Sequence, residues 1–146
     1  MKIEDDFLEQ TAFDELQTLI KSNDFAWSYS DGIDYGKELN KFQFIHIFHT
    51  GFAPNSPFYE KLTPIFKKIQ ALSFIRIKAN LRTRTSKIEP SEFHIDMQLV
   101  ISEEKLKQWW TSIFYLNTNN GYTEFEDILT IRISWLLLLV LLKITY

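Results

Sequence analysis

The clearest strand signal in the chain is Phe74-Ile75-Arg76-Ile77-Lys78-Ala79-Asn80-Leu81. Apolar residues occupy every second position from Ile75 onward, and Arg76, Lys78 and Asn80 fill the positions between them. Because successive side chains of a strand point to opposite faces, this alternation predicts a strand with one apolar face and one polar face.

The segments around this strand predict one helix followed by a series of short strands. Apolar residues recur at helical spacing after Thr11-Ala12-Phe13-Asp14, which has the form of a capping box, and they predict a helix over residues 12–21. Further strands are predicted over residues 42–49, 93–100 and 109–116, with a short helix between 58 and 69. This order predicts an α+β chain dominated by an antiparallel sheet or a jelly roll.

Length and composition bound the class of protein. The chain has 146 residues, 45% of them hydrophobic and 24% charged, which predicts a single folded domain. The absence of cysteine excludes disulfides, thiolate metal sites and cysteine nucleophiles. A net charge of −3 argues against nucleic acid as a partner.

The sequence also indicates where the protein resides. Acidic residues follow Met1 where a signal peptide would be basic and then apolar. The most apolar run, residues 135–142, is far shorter than the roughly 20 residues needed to cross a bilayer. We therefore expect a cytoplasmic protein without a membrane span.

A candidate metal motif lies in the predicted strand over residues 93–100. His94 and Asp96 are two positions apart, so on a strand their side chains point to the same face and can bind one metal ion. They supply two thirds of a 2-His-1-carboxylate facial triad, which leaves positions open on Fe(II) for a substrate and O2. No histidine follows Asp96 in the chain.

The motifs and their order carry a family resemblance. Phe93-His94-Ile95-Asp96 precedes the run Tyr115-Leu116-Asn117-Thr118-Asn119-Asn120-Gly121-Tyr122-Thr123-Glu124-Phe125, in which a tyrosine precedes Leu-Asn and a Gly-x-Thr-x-Phe-like step follows. Together with residues 3–7 and 75–81, they resemble the Fe(II)- and 2-oxoglutarate-dependent dioxygenases. The resemblance is to the prolyl 4-hydroxylase-like group, most closely to versions found in bacteriophages, and it covers residues 1–127.

The resemblance implies a double-stranded β-helix that holds Fe(II) through His94 and Asp96, with 2-oxoglutarate as cosubstrate. It implies that the Tyr115 phenol binds the far carboxylate of 2-oxoglutarate. Asn80 would line the same pocket, at a position where many relatives have tyrosine. Such enzymes use O2 to convert 2-oxoglutarate to succinate while they hydroxylate an unactivated C–H bond, here of a prolyl or another protein side chain. The compartment would be the host cytoplasm if a phage encodes the chain.

The segment 128–146 departs from the family pattern. It contains no Gly, Pro, Asn, Asp or Glu, which punctuate everything before it, and it matches neither the distal His nor the basic residue, usually Arg, that pairs with 2-oxoglutarate. Our hypothesis is that the chain is truncated or frameshifted after Asp127. Residues 1–127 would then be a partial dioxygenase-like domain and residues 128–146 an atypical apolar tail, which as a short helix or strand could also dock on the domain.

Two alternatives to an active dioxygenase remain open. The first is a catalytically dead β-rich remnant with a binding or structural role, because the distal His and the Arg are missing. The second is a nucleic-acid binder that uses the basic residues Arg76, Lys78, Arg82, Arg84 and Lys87; these could equally attract an acidic substrate or form a solvated face.

His46 and His49 could be considered as replacement metal ligands. Their positions differ in parity, so on a regular strand they face opposite ways. We expect ordinary strand histidines with local hydrogen bonds.

Overall fold

The computed structural model shows a β-sheet with helices packed on one face. The structure describes residues 2–33, 41–51, 53–91, 104, 109–118 and 123–124, and the backbone of residues 137–145. The elements in chain order are α1 (Gln10–Ile20), β1 (Ser28–Ser30), β2 (Gln43–Thr50), β3 (Ala53–Pro54), a 3₁₀ turn (Tyr59–Leu62), α2 (Thr63–Ile69), β4 (Ser73–Arg82), β5 (Trp109–Tyr115) and β6 (Leu137–Thr145). The prediction of an α+β chain is confirmed.

Helix α1 begins earlier than the sequence predicts. Its N-cap is Glu9, and no side chain caps the first turn, so the capping box predicted at Thr11 is wrong. The apolar spacing is nevertheless correct, because Leu16 and Ile20 are buried. No helix within the described residues is long and apolar enough to cross a membrane.

The sheet has two kinds of strand pairing. Its strand order is β1-β2-β4-β6-β5, with β3 paired to β2. The pairs that β2 makes with β1, β3 and β4 are antiparallel, as the sequence predicts. The pairs that β6 makes with β4 and β5 are parallel. These pairings do not establish a jelly roll, which stays a prediction.

Strand β6 comes from the segment that departs from the family pattern. It lies between β4 and β5 and pairs with both over most of its length. A strand with neighbours on both sides has its backbone groups paired on both edges, so β6 connects the two parts of the sheet. The strand form of docking, one of the options for this tail, is the one that residues 137–145 adopt.

The core lies between the helices and one face of the sheet. Ile77 and Ala79 of β4 are fully buried, and they form one cluster with the buried Leu16 and Ile20 of α1 and Leu62 before α2. Phe114 of β5 packs against the same cluster. Because strand side chains alternate, Arg76, Lys78 and Asn80 lie on the opposite face of β4, as predicted.

A β-bulge in β2 changes which residues face the core. The register with β4 shifts between Ile47 and His49, so that His46 pairs with Ala79 and His49 pairs with Ile77. Directly paired residues share a face, and both partners are core residues. His46 and His49 therefore lie on the helix-covered face together, and the prediction that they face opposite ways is wrong.

Candidate functional site

The candidate site is the place where Asn80 and Tyr115, on the face of the sheet opposite the helices, both pair in register with one position of β6. Asn80 of β4 is the register partner of Lys143 of β6, and Lys143 is the register partner of Tyr115 of β5. Neighbouring strands lie about 4.8 Å apart, so the Cα atoms of Asn80 and Tyr115 are about 10 Å apart with Lys143 between them. Asn80 and Tyr115, which the family resemblance assigns to one binding pocket, therefore lie in one row.

Asn80 contributes a buried amide oxygen to this row. Its Oδ1 is inaccessible and has no hydrogen-bond partner among the described residues. A buried polar atom that lacks a partner costs about 1–3 kcal/mol, so native proteins rarely keep one without a reason. A ligand or a water that donates a hydrogen bond would remove this cost.

Tyr115 contributes a phenol at the end of the row. It follows Phe114, whose ring lies 5.9 Å from Phe7 on the helix side, so alternation directs Tyr115 to the opposite face. The side chain is 39% exposed, and its hydroxyl lies 2.6 Å from the Thr123 hydroxyl. When the Thr123 hydroxyl donates to the Tyr115 oxygen, the phenol proton of Tyr115 can be donated to a carboxylate.

Lys143 is the residue that sequence reasoning missed. The sequence predicts no basic residue for 2-oxoglutarate in the tail, because no arginine stands at the expected distance after Asp127. Only the parallel register of β6 with both neighbours brings Lys143 between Asn80 and Tyr115. The available signal was the single cation near the end of an otherwise apolar run.

The predicted metal ligands lie outside the described residues. This applies to His94 and Asp96 and to the predicted strand over residues 93–100 that carries them. Among the residues that the structure describes, no three histidine or carboxylate groups come together at a point where a metal could bind.

His46 is committed to structural hydrogen bonds, as expected of a strand histidine. Its Nδ1 lies 2.7 Å from the Ala26 carbonyl oxygen, which can only accept, so Nδ1 carries the proton. Its Nε2 lies 2.8 Å from the Ser56 hydroxyl. The Phe25 ring packs against the imidazole ring in a tilted arrangement, with the ring centroids 4.1 Å apart. Both nitrogens are thus occupied, which leaves neither for a metal.

His49 is buried deeper than His46. Its side chain is 5% exposed and its ring stacks on Tyr59 at 5.6 Å. Burial lowers the pKa of His49, and a hydrogen bond with the backbone of Ile75 opposes that shift in part. Its Nδ1 has no partner within the described part of the chain. Because His49 lies on the helix-covered face, it cannot reach the row of Asn80 and Tyr115 on the other side of the sheet.

The basic cluster predicted from the sequence divides between the sheet and a loop. Arg76, Lys78 and Arg82 alternate on the same face of β4 as Asn80. Arg84 and Lys87 belong to the exposed stretch that follows β4. Cations therefore occur both beside the candidate row and at the end of the strand.

Comparison of the chain with protein-family models, curated proteins and solved structures finds no match.

Proposed function

We propose that the chain is an Fe(II)- and 2-oxoglutarate-dependent dioxygenase that hydroxylates an unactivated C–H bond of a prolyl or another protein side chain. The observation that carries the proposal is the row of Asn80, Lys143 and Tyr115 on one face of the sheet. The sequence resemblance assigns Asn80 and Tyr115 to one pocket independently of the register of the sheet.

The row suits the far carboxylate of 2-oxoglutarate. A carboxylate accepts hydrogen bonds and carries negative charge, and the row combines a lysine with a phenol that can donate. The amide of Asn80 has its own NH2 donors, and its buried Oδ1 could accept from a water beside the ligand. Lysine binds as a point charge rather than as a bidentate fork, so we expect weaker binding than an arginine would give.

His94 and Asp96 are the residues that would hold iron in this proposal. A neutral imidazole and a carboxylate suit Fe(II), and two protein ligands leave positions for the chelating end of 2-oxoglutarate and for O2. When bound, the iron would supply the oxidation of the substrate C–H bond. The protein's part is to orient 2-oxoglutarate through Tyr115 and Lys143 and to position the substrate.

The proposed fold is a double-stranded β-helix that would extend the observed sheet. Its support is the arrangement of the two faces: helices cover the face with Ile77 and Ala79, and the polar row lies on the other. In the proposed fold this second face would be the interior of the barrel. The parallel pairs of β6 are the part of the sheet that this fold does not explain.

A second candidate function is a remnant that has lost iron and keeps a binding or structural role. The observation in its favour is that the other histidines cannot replace the missing distal His. Both His46 and His49 lie on the helix-covered face, and His46 uses both nitrogens. The remnant would retain a carboxylate-binding row without oxygenase activity.

Conversion of 2-oxoglutarate to succinate separates the two candidates. Purified protein is incubated with Fe(II), ascorbate, O2 and 2-oxoglutarate, and succinate is measured against the variant His94→Ala. Succinate formed by the wild type and absent with the variant supports the dioxygenase. Equal background with both proteins, while 2-oxoglutarate still binds, favours the remnant.

A further inference from the structure

An exposed aromatic cluster lies at the outer edge of the sheet. Tyr29 of β1 is 64% exposed, Phe42 just before β2 is 44% exposed, and their rings stack at 5.8 Å with an interplanar angle of 27°. Phe44 meets both rings edge-on, at 6.0 Å from Tyr29 and 5.9 Å from Phe42. Single exposed aromatic residues are common, but three in mutual contact form a contiguous apolar patch of the kind found at interaction sites.

A basic loop begins and ends beside this aromatic cluster. Leu81, the register partner of Phe44, leads into the stretch from Arg82 to Ser91. The Arg82 guanidinium donates to the Ser91 hydroxyl at 3.1 Å, which holds the two ends of the loop together. Near its far end, the Pro90 carbonyl accepts a hydrogen bond from Lys41 Nζ at 2.6 Å, and Lys41 adjoins Phe42. The loop is thereby fixed next to the aromatic rings.

The charge of this loop is opposite to that of the whole protein. Arg84 and Lys87 are exposed in it, whereas the whole chain has a net charge of −3. The loop itself contains three basic residues, Arg82, Arg84 and Lys87, and one acidic residue, Glu89. Among the described residues that adjoin the cluster in sequence, the carboxylates are Asp31, after β1, and Glu89 in the loop. The loop therefore carries a local excess of positive charge that the net charge of the chain does not show.

We propose that the aromatic cluster and the 82–91 loop bind single-stranded nucleic acid. Proteins that bind single strands combine cations along the phosphate backbone with aromatic rings on which bases stack. Here Arg84 and Lys87 would contact phosphates while unpaired bases stack on the outer faces of Tyr29 and Phe42. This binding does not depend on iron or 2-oxoglutarate.

The aromatic rings favour a single strand over other polyanions. An acidic polypeptide would satisfy the cations but offers no planar partner for a stacked pair of aromatic rings. Duplex DNA has a higher charge density, but its bases are already stacked within the helix and are not free to stack on protein rings. A purely electrostatic surface would therefore prefer duplex, and the proposed surface prefers the single strand.

Fluorescence anisotropy with a labelled oligothymidylate of about 12 nucleotides tests the proposal on the full chain. The double variant Tyr29→Leu/Phe42→Leu keeps apolar bulk but removes both rings, and we expect it to weaken binding about 30-fold or more, since each lost stacked base weakens it at least about 5-fold. The matched control is Leu72→Ala, which removes an apolar side chain that is 74% exposed at the other end of β4 and should leave binding unchanged.

Salt dependence tests the basic loop. For the variant Arg84→Ala/Lys87→Ala, the slope of log affinity against log salt should decrease by about 0.7 for each phosphate that the removed cations neutralise in the wild type. The control Lys67→Ala removes an exposed cation of α2 and should leave the slope unchanged. Circular dichroism confirms that each variant is folded, and Tyr29→Leu alone replaces the aromatic double variant if that one does not fold.

Three results would overturn the proposal. They are the absence of binding at about 50 mM salt, duplex binding as tight as single-strand binding, and wild-type affinity in a folded aromatic variant. Competition by polyglutamate as effective as that by unlabelled oligothymidylate would assign the surface to acidic proteins instead.

Discussion

Asn80 and Tyr115 are both register partners of Lys143, so that two residues distant in sequence lie in one row, one on each side of β6. The row exists because β6 is inserted between β4 and β5. Without β6, the two residues nominated for 2-oxoglutarate would belong to strands that do not touch. The apolar tail is therefore part of the proposed site.

Substitution of the row should weaken 2-oxoglutarate binding selectively. For Lys143→Gln we expect about 10- to 150-fold weaker binding, because a hydrogen bond to a charged group contributes about 1.5–3 kcal/mol. For Tyr115→Phe we expect about 10-fold, since one phenol donor is removed. Isothermal titration measures both, with Lys67→Gln as the control for a lysine remote from the row. Unchanged affinity for Lys143→Gln would exclude this lysine from the site.

Removal of β6 should unfold the sheet. A chain that ends at residue 136 would leave β4 and β5 with unpaired edges where β6 now pairs with both, and such edges promote aggregation. We expect loss of the cooperative thermal transition and a soluble yield far below that of the full chain. The control is deletion of Tyr146, which lies beyond β6. If the shortened chain instead melts like the full chain, the tail is dispensable and the row has no structural basis.

The core on the helix side should be sensitive to cavities. Ile77 is fully buried among α1, α2 and β2, so Ile77→Ala should lower the free energy of unfolding by about 2–5 kcal/mol. Leu72→Ala, at an exposed position, should change it by less than about 0.5 kcal/mol. Urea denaturation followed by circular dichroism measures both. Equal losses at the two positions would contradict the assignment of this face as the core.

Burial of His49 should make stability depend on pH. Its pKa is lowered in the folded chain from an ordinary value of 6.5, so below that pH the unfolded chain takes up a proton that the folded chain does not. Stability is therefore fully present above about pH 6.5 and falls as the pH decreases toward the lowered value. His49→Leu removes this contribution, whereas carboxylates titrate alike in both proteins. Urea denaturation between about pH 7.5 and 5.5 should show a smaller loss for the variant, and parallel profiles would contradict the account.

Local patterns predicted the elements whose residues alternate or recur regularly. The alternation over residues 74–81 predicted β4, and apolar spacing predicted α1. Strand β1 was missed because Ser28–Ser30 is short and runs into turn residues. The bulge in β2 was missed because one extra residue leaves no trace in composition, yet it reverses the face of every residue after it.

The sequence predicted two residues of the candidate site but not the third. Asn80 and Tyr115 were nominated through the resemblance, but their alignment depends on parallel pairing with β6. Parallel partners are distant in sequence, and a strand that is apolar at nearly every position shows no alternation that would identify its faces. Lys143 could not be assigned to the row for this reason.

The most direct test of the central claim is an anaerobic titration of the Fe(II)-loaded protein with 2-oxoglutarate, followed by visible absorption. We predict a metal-to-ligand charge-transfer band that grows with 2-oxoglutarate, saturates, and is absent in the His94→Ala variant. A folded wild-type protein that develops no such band at saturating Fe(II) and 2-oxoglutarate would contradict the dioxygenase assignment.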